Sequence, residues 1–112
     1  MSGQDLFNDL QKKQSYADQA LKQLSTRGKE YAEAERAYKV TLAQTMLKLR
    51  DEGEKTTTLK DIAYGDRQVS DLRMQRDIAE AMYKSAQEAL NLYKLQIRVL
   101  QGQLDKEWSN EK

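Results

Sequence analysis

Cysteine, histidine and proline are all absent from the 112 residues. Without cysteine there is no disulfide framework, no thiolate chemistry and no cysteine metal site. Without histidine the chain lacks the usual general base and zinc ligand at neutral pH. Carboxylates, lysine and tyrosine remain, but no acids cluster at metal-binding spacing, and the set Asp61, Asp66 and Asp71 reads as a solvated face. The expectation is therefore a non-enzyme with no cofactor and no metal. The lack of proline removes every compulsory helix break. No apolar run approaches membrane-spanning length, and the N-terminus has no hydrophobic signal core. These absences point to a soluble, cytoplasmic chain that makes no membrane contact.

Charge of one sign is also missing. Residues 1–50 hold nine Lys/Arg against six Asp/Glu, residues 51–68 three against five, and residues 69–112 seven of each. No segment is basic enough to advertise nucleic acid. Charged residues make up 33% and mean hydropathy is -0.93, values that would suit a disordered chain if the apolar residues were scattered. They are ordered instead. Steps of three and four run through Leu10, Gln14, Ala17, Leu21, Leu24, Gly28, Tyr31, Glu35, Tyr38, Leu42, Thr45 and Leu49. The same rule connects Ala79, Tyr83, Ala86, Leu90, Tyr93, Ile97, Leu100 and Leu104. A 3-4 repeat is a heptad, a seam that another helix must cover.

The predicted fold is all-α, an elongated antiparallel helical hairpin with a short helical connector. The whole chain, 1–112, reads as one domain, with helices over about 4–50 and 69–108 and the connector over 51–68. Ser2 and Asp5 suit a helix start. The phase passes unchanged through Gly28, which favours a continuous first helix over a break capped by Ser25 or Thr26. Lys48-Leu49-Arg50 followed by Asp51-Glu52-Gly53 is a stop signal, with cations at the helix end and glycine just past it. Thr57 or Thr58 is expected to cap a short helix over Leu59–Tyr64, closed by Gly65. Such a short connection forces the long helices antiparallel.

The last helix carries a second apolar stripe beside its seam, including Ile78, Met82, Leu92, Leu95 and Val99. One partner helix covers only one stripe, so the second is a candidate self-association surface giving a dimer or larger assembly. The connector is the candidate patch for an unknown protein partner: Thr57, Thr58, Lys60, Asp61, Tyr64, Asp66 and Arg67 crowd hydroxyls, an aromatic and mixed charges together. Its competing role is purely structural, with Leu59 and Ile62 plugging the end of the hairpin. Direct DNA binding through the first helix, Tyr64 and Arg67 is the less favoured reading. A helix-turn-helix fits poorly, because Gly65 follows Ala63 too closely. The remaining tyrosines read as seam or rim residues. Trp108 is expected to seal the hairpin end near Leu6, Phe7 and Leu10.

The runs Leu47-Lys48-Leu49-Arg50-Asp51-Glu52-Gly53, Ile62-Ala63-Tyr64-Gly65-Asp66, Val69-Ser70-Asp71-Leu72-Arg73 and Arg76-Asp77-Ile78-Ala79-Glu80 resemble a family of small helical proteins. These are encoded by phages and prophages of Gram-positive bacteria. The resemblance extends from about residue 36 to Glu107-Trp108 and leaves out the first 35 residues. It implies an accessory role in phage DNA replication or recombination and carries over no site residues; an inhibitor of a host enzyme is a separate, third reading. Hairpin secretion substrates with a Trp-x-Gly turn are similar in size, but here the turn is Asp51-Glu52-Gly53.

Overall fold

The computed structural model describes residues 2–110. Its three helices are α1 (Gly3–Asp51), α2 (Thr56–Gly65) and α3 (Arg67–Asn110), with no strand among the described residues. The all-α hairpin expected from the heptads is the observed fold.

Local chemistry sets each helix end. The Ser2 hydroxyl accepts a hydrogen bond from the Asp5 N–H at 3.1 Å, and the Asp5 carboxylate accepts one from the Ser2 N–H at 3.4 Å. This is a reciprocal capping box with aspartate in place of the usual glutamate. α1 runs unbroken through Gly28, and the Thr26 hydroxyl donates to the Lys22 carbonyl at 3.2 Å instead of capping a new helix. At the far end the Gly53 N–H donates to the Arg50 carbonyl and the Glu54 N–H to the Leu49 carbonyl, both at 3.0 Å. Those two bonds form a Schellman closure, and it needs the left-handed backbone that Gly53 supplies at φ 92°.

The connector helix is longer than the sequence suggested. It starts at Thr56, so Thr57 and Thr58 lie in its first turn and do not precede it. Lys55 is the N-cap and makes no side-chain cap bond, while the Thr58 hydroxyl donates back to the Lys55 carbonyl at 3.2 Å. A single residue, Asp66, separates α2 from α3. Its N–H closes α2 on the Ala63 carbonyl at 3.2 Å, and its carboxylate accepts from the Val69 N–H at 3.1 Å to open α3. One intervening residue leaves no room for the three-to-four-residue turn of a helix-turn-helix.

The described residues form two compact units. One joins the chain up to Thr26 with the chain from Lys84, and the other is Arg27–Tyr83. In the first, Leu6, Leu10, Leu100 and Leu104 are buried together with Phe7 and Ile97 packed against them. Phe7 faces Trp108 at 6.3 Å and Tyr16 faces Tyr93 at 5.8 Å, the pairing order of antiparallel segments. Trp108 thus meets the expected end of α1, although it stays 45% exposed. In the second unit Tyr31 lies 6.0 Å from Tyr83. Leu59, Ala63 and Val69 are buried at the connector, whereas Ile62, expected to plug that end, is 42% exposed.

The α3 seam lies as the heptad predicts, each of its eight residues buried or half-buried. The α1 seam requires a correction in its first half. Gln14 and Leu21 are exposed, and Lys13 and Ala20 take the inner positions. The shared heptad line is 3, 10, 17, 24, 31, 38 and 45. Its companion is three residues on at Leu6, Lys13 and Ala20, but four residues on at Gly28, Glu35, Leu42 and Leu49. A straight helix falls about 20° behind per heptad, so after about three heptads the line itself has turned about 60° into the place its third residue held, and the fourth residue on becomes its companion.

Substitutions at two positions test these packing and capping roles by urea unfolding at one protein concentration. Leu104 is 1% exposed, so Leu104→Ala is expected to cost about 2–5 kcal/mol. Nothing lies within 4 Å of a Cβ at Gly53. The cost of Gly53→Ala is therefore purely backbone, about 1–2 kcal/mol, and Gly53→Asn should lose less.

Candidate interaction surfaces

The middle of the second unit is polar and aromatic, not aliphatic. Tyr38 is buried, and the Arg76 guanidinium sits 4.6 Å over its ring. Asp77 accepts hydrogen bonds from Arg76 Nε at 3.0 Å and Nη2 at 2.8 Å. Glu35 lies 3.9 Å from Arg76 Nη1 and 3.4 Å from Lys39 Nζ. The Asp77 hydrogen bond raises the Arg76 pKa against the opposing effect of burial. Arg76 thus remains charged while bridging α1 and α3 within this unit.

Next to this network runs an open groove lined by Gly28, Tyr31, Glu35, Lys39, Val40 and Tyr83. Gly28 has a clear steric role here, since a Cβ would stand 3.1 Å from the Tyr83 ring. Burial, then the neighbouring Glu80 and Glu35 carboxylates, disfavour the Tyr31 phenolate and raise its pKa above the usual 10.0. Gly28 and Glu35 are two of the ladder positions that lack the large apolar residue a heptad ordinarily holds, and they were the available sequence signal for this groove.

The connector residues divide by role. Thr57, Thr58, Lys60, Asp61 and Arg67 are exposed. Tyr64 is half-buried, with Lys60 Nζ 5.7 Å and the Arg73 guanidinium 5.0 Å from its ring centre. Arg73 was absent from the sequence-derived patch because it lies two turns into α3. Asp66 serves as the shared cap. Arg67 joins Gln68, Asp71, Leu72 and Gln75 along a shallow groove at the start of α3.

The candidate stripe is exposed in both units. In the second, Ile78 is 56% and Met82 42% exposed; in the first, Leu92, Leu95 and Val99 are each just over half exposed. Leu95, Gln96, Val99 and Leu100 line a groove in the first unit together with Asp9 and Lys13 of α1. The side-chain oxygen of Gln96 is buried there without a hydrogen-bond partner.

No family model matches the chain, and neither a curated protein nor a solved structure is similar to it. Its surfaces are therefore interpreted from their own chemistry. Among the described residues no group of three or more Asp or Glu is placed to hold a metal ion. None of the described helices is long and apolar enough to cross a membrane.

The raised Tyr31 pKa has a definite sign. The folded chain holds this proton longer than the unfolded chain, so the stabilisation is complete below the usual tyrosine value. It is lost as pH rises through the higher folded value. Tyr31→Phe is expected to remove the highest-pH component of a tyrosinate absorbance titration, and Glu35→Gln to move that component down. A remaining curve whose midpoint does not move down in Tyr31→Phe would sink the assignment.

Proposed function

We propose that this chain is a non-enzymatic interaction protein whose helices present apolar faces to protein partners. The setting suggested by its resemblance to phage and prophage proteins is DNA replication or recombination. One observation carries the reading. Among the described residues ten hydrophobics are buried, two of them alanines, while twelve large hydrophobics are exposed. Singly scattered apolar residues on a surface need no explanation. These are not scattered, because those on α3 recur at helical spacing, the arrangement that receives an amphipathic helix or a helix pair. The balanced charge along the chain favours protein over nucleic acid as the partner.

The test is site-specific photo-crosslinking in the cells that make the protein. A photoreactive residue at Ile78 or Leu92 is expected to give discrete protein adducts, whether to other proteins or to a second copy. The same residue at the exposed polar position Gln44 should give none. Adducts to nucleic acid, or equal labelling at all three positions, would overturn the reading.

A further inference from the structure

We infer that the open groove along α1 in the second unit is a docking site for an acidic amphipathic helix of a partner protein. This rests on the interaction reading above and names the chemistry of one partner and the face it takes. The α1 lining of the groove falls on two neighbouring rows, each stepping by four residues. Gly28, Ala32, Arg36 and Val40 form one row, and Tyr31, Glu35 and Lys39 the other. Rows at that step are the ridges of a helix surface, and the channel between two of them receives the ridge of another helix. Gly28 and Ala32 keep the first row low, and the Tyr83 ring, lying against Gly28, walls that end. From Gly28 to Val40 the channel is about 18 Å long at 1.5 Å per residue, enough for about three turns of an occupant.

Charge separates this channel from the grooves along α3. At the start of α3 Arg67 is balanced by Asp71, and in the first unit Lys13 is balanced by Asp9. Here Arg36 and Lys39 share one carboxylate, Glu35, which already lies 3.4 Å from Lys39 Nζ and 3.9 Å from Arg76 Nη1. Arg36 is exposed and makes no ion pair among the described residues. Lys39 keeps 70% of its side chain in solvent. Two cations beside an apolar floor of Ala32, Val40 and two tyrosine rings call for an occupant with carboxylates and apolar side chains on one face. An amphipathic helix supplies both when its apolar residues recur at steps of three and four and acidic residues flank them. Two cations neutralise too few phosphates to hold a nucleic acid at ordinary salt, whereas ion pairs at the edge of an apolar contact need add only selectivity.

The experiment is fluorescence anisotropy of the full chain with a pair of labelled synthetic amphipathic helices. Both carry leucines at steps of three and four; one has glutamate and the other lysine at the flanking positions. The glutamate peptide is expected to bind about tenfold more tightly than the lysine peptide, and Arg36→Glu to erase that preference. Ala32 is exposed, so Ala32→Trp fills the channel without touching the buried seam and should abolish binding with helical content unchanged. Lys60→Glu makes the same change of charge at an exposed connector position and should leave binding as it was. Equal affinity for the two peptides, or binding of neither, overturns the proposal. Binding that survives Ala32→Trp overturns it too, and displacement of the peptide by a single-stranded oligonucleotide overturns it in favour of nucleic acid. Any of these results alongside persistent protein adducts at Ile78 or Leu92 removes the α1 groove and leaves the interaction reading standing.

Discussion

A pair of antiparallel helix segments can bury only one stripe of each, and that limit governs the rest of this structure. The first unit satisfies it with an aliphatic cluster of Leu6, Leu10, Leu100 and Leu104. The second satisfies it with a cation over a buried ring and two carboxylates beside it, Arg76 on Tyr38 between Asp77 and Glu35. An aliphatic seam supplies most of the burial energy but tolerates sliding. Arg76 joins α3 to α1 by stacking on Tyr38 and approaching Glu35, while its hydrogen bonds go to Asp77, its neighbour on the same helix. The two units therefore hold their helices together by different physics.

Because so little is buried, the ends of the helices carry unusual weight. Ser2 and Asp5 satisfy each other across the first turn. Gly53 allows the backbone to close on Leu49 and Arg50. Asp66 ends one helix with its N–H and begins the next with its carboxylate. That double use explains why a residue in the middle of a promising polar patch is not free to serve a ligand. Tyr64, held between two cations, and the exposed Lys60, Asp61 and Arg67 are what the connector leaves available.

The exposed stripe of α3 follows from the same limit. Its apolar residues have nowhere to go within a helix pair, so Ile78, Met82, Leu92, Leu95 and Val99 stay exposed.

The sequence by itself determined the long helices, both ends of α1 and the α3 seam. Each of these rests on local rules: heptad spacing, the glycine after Arg50, the serine before the first turn. It also located the stripe that the fold leaves uncovered. Only the tertiary structure decided which residues fill the first half of the α1 seam, because a constant heptad phase ignores the slow rotation of a straight helix. That rotation turned Leu21 outward and Ala20 inward. Contacts between residues far apart in the chain were equally out of reach: Arg73 on Tyr64, Arg76 on Tyr38, the Tyr83 ring in the space left by Gly28. Local spacing specifies which face a residue occupies. What that residue meets depends on a second helix whose register only packing can set.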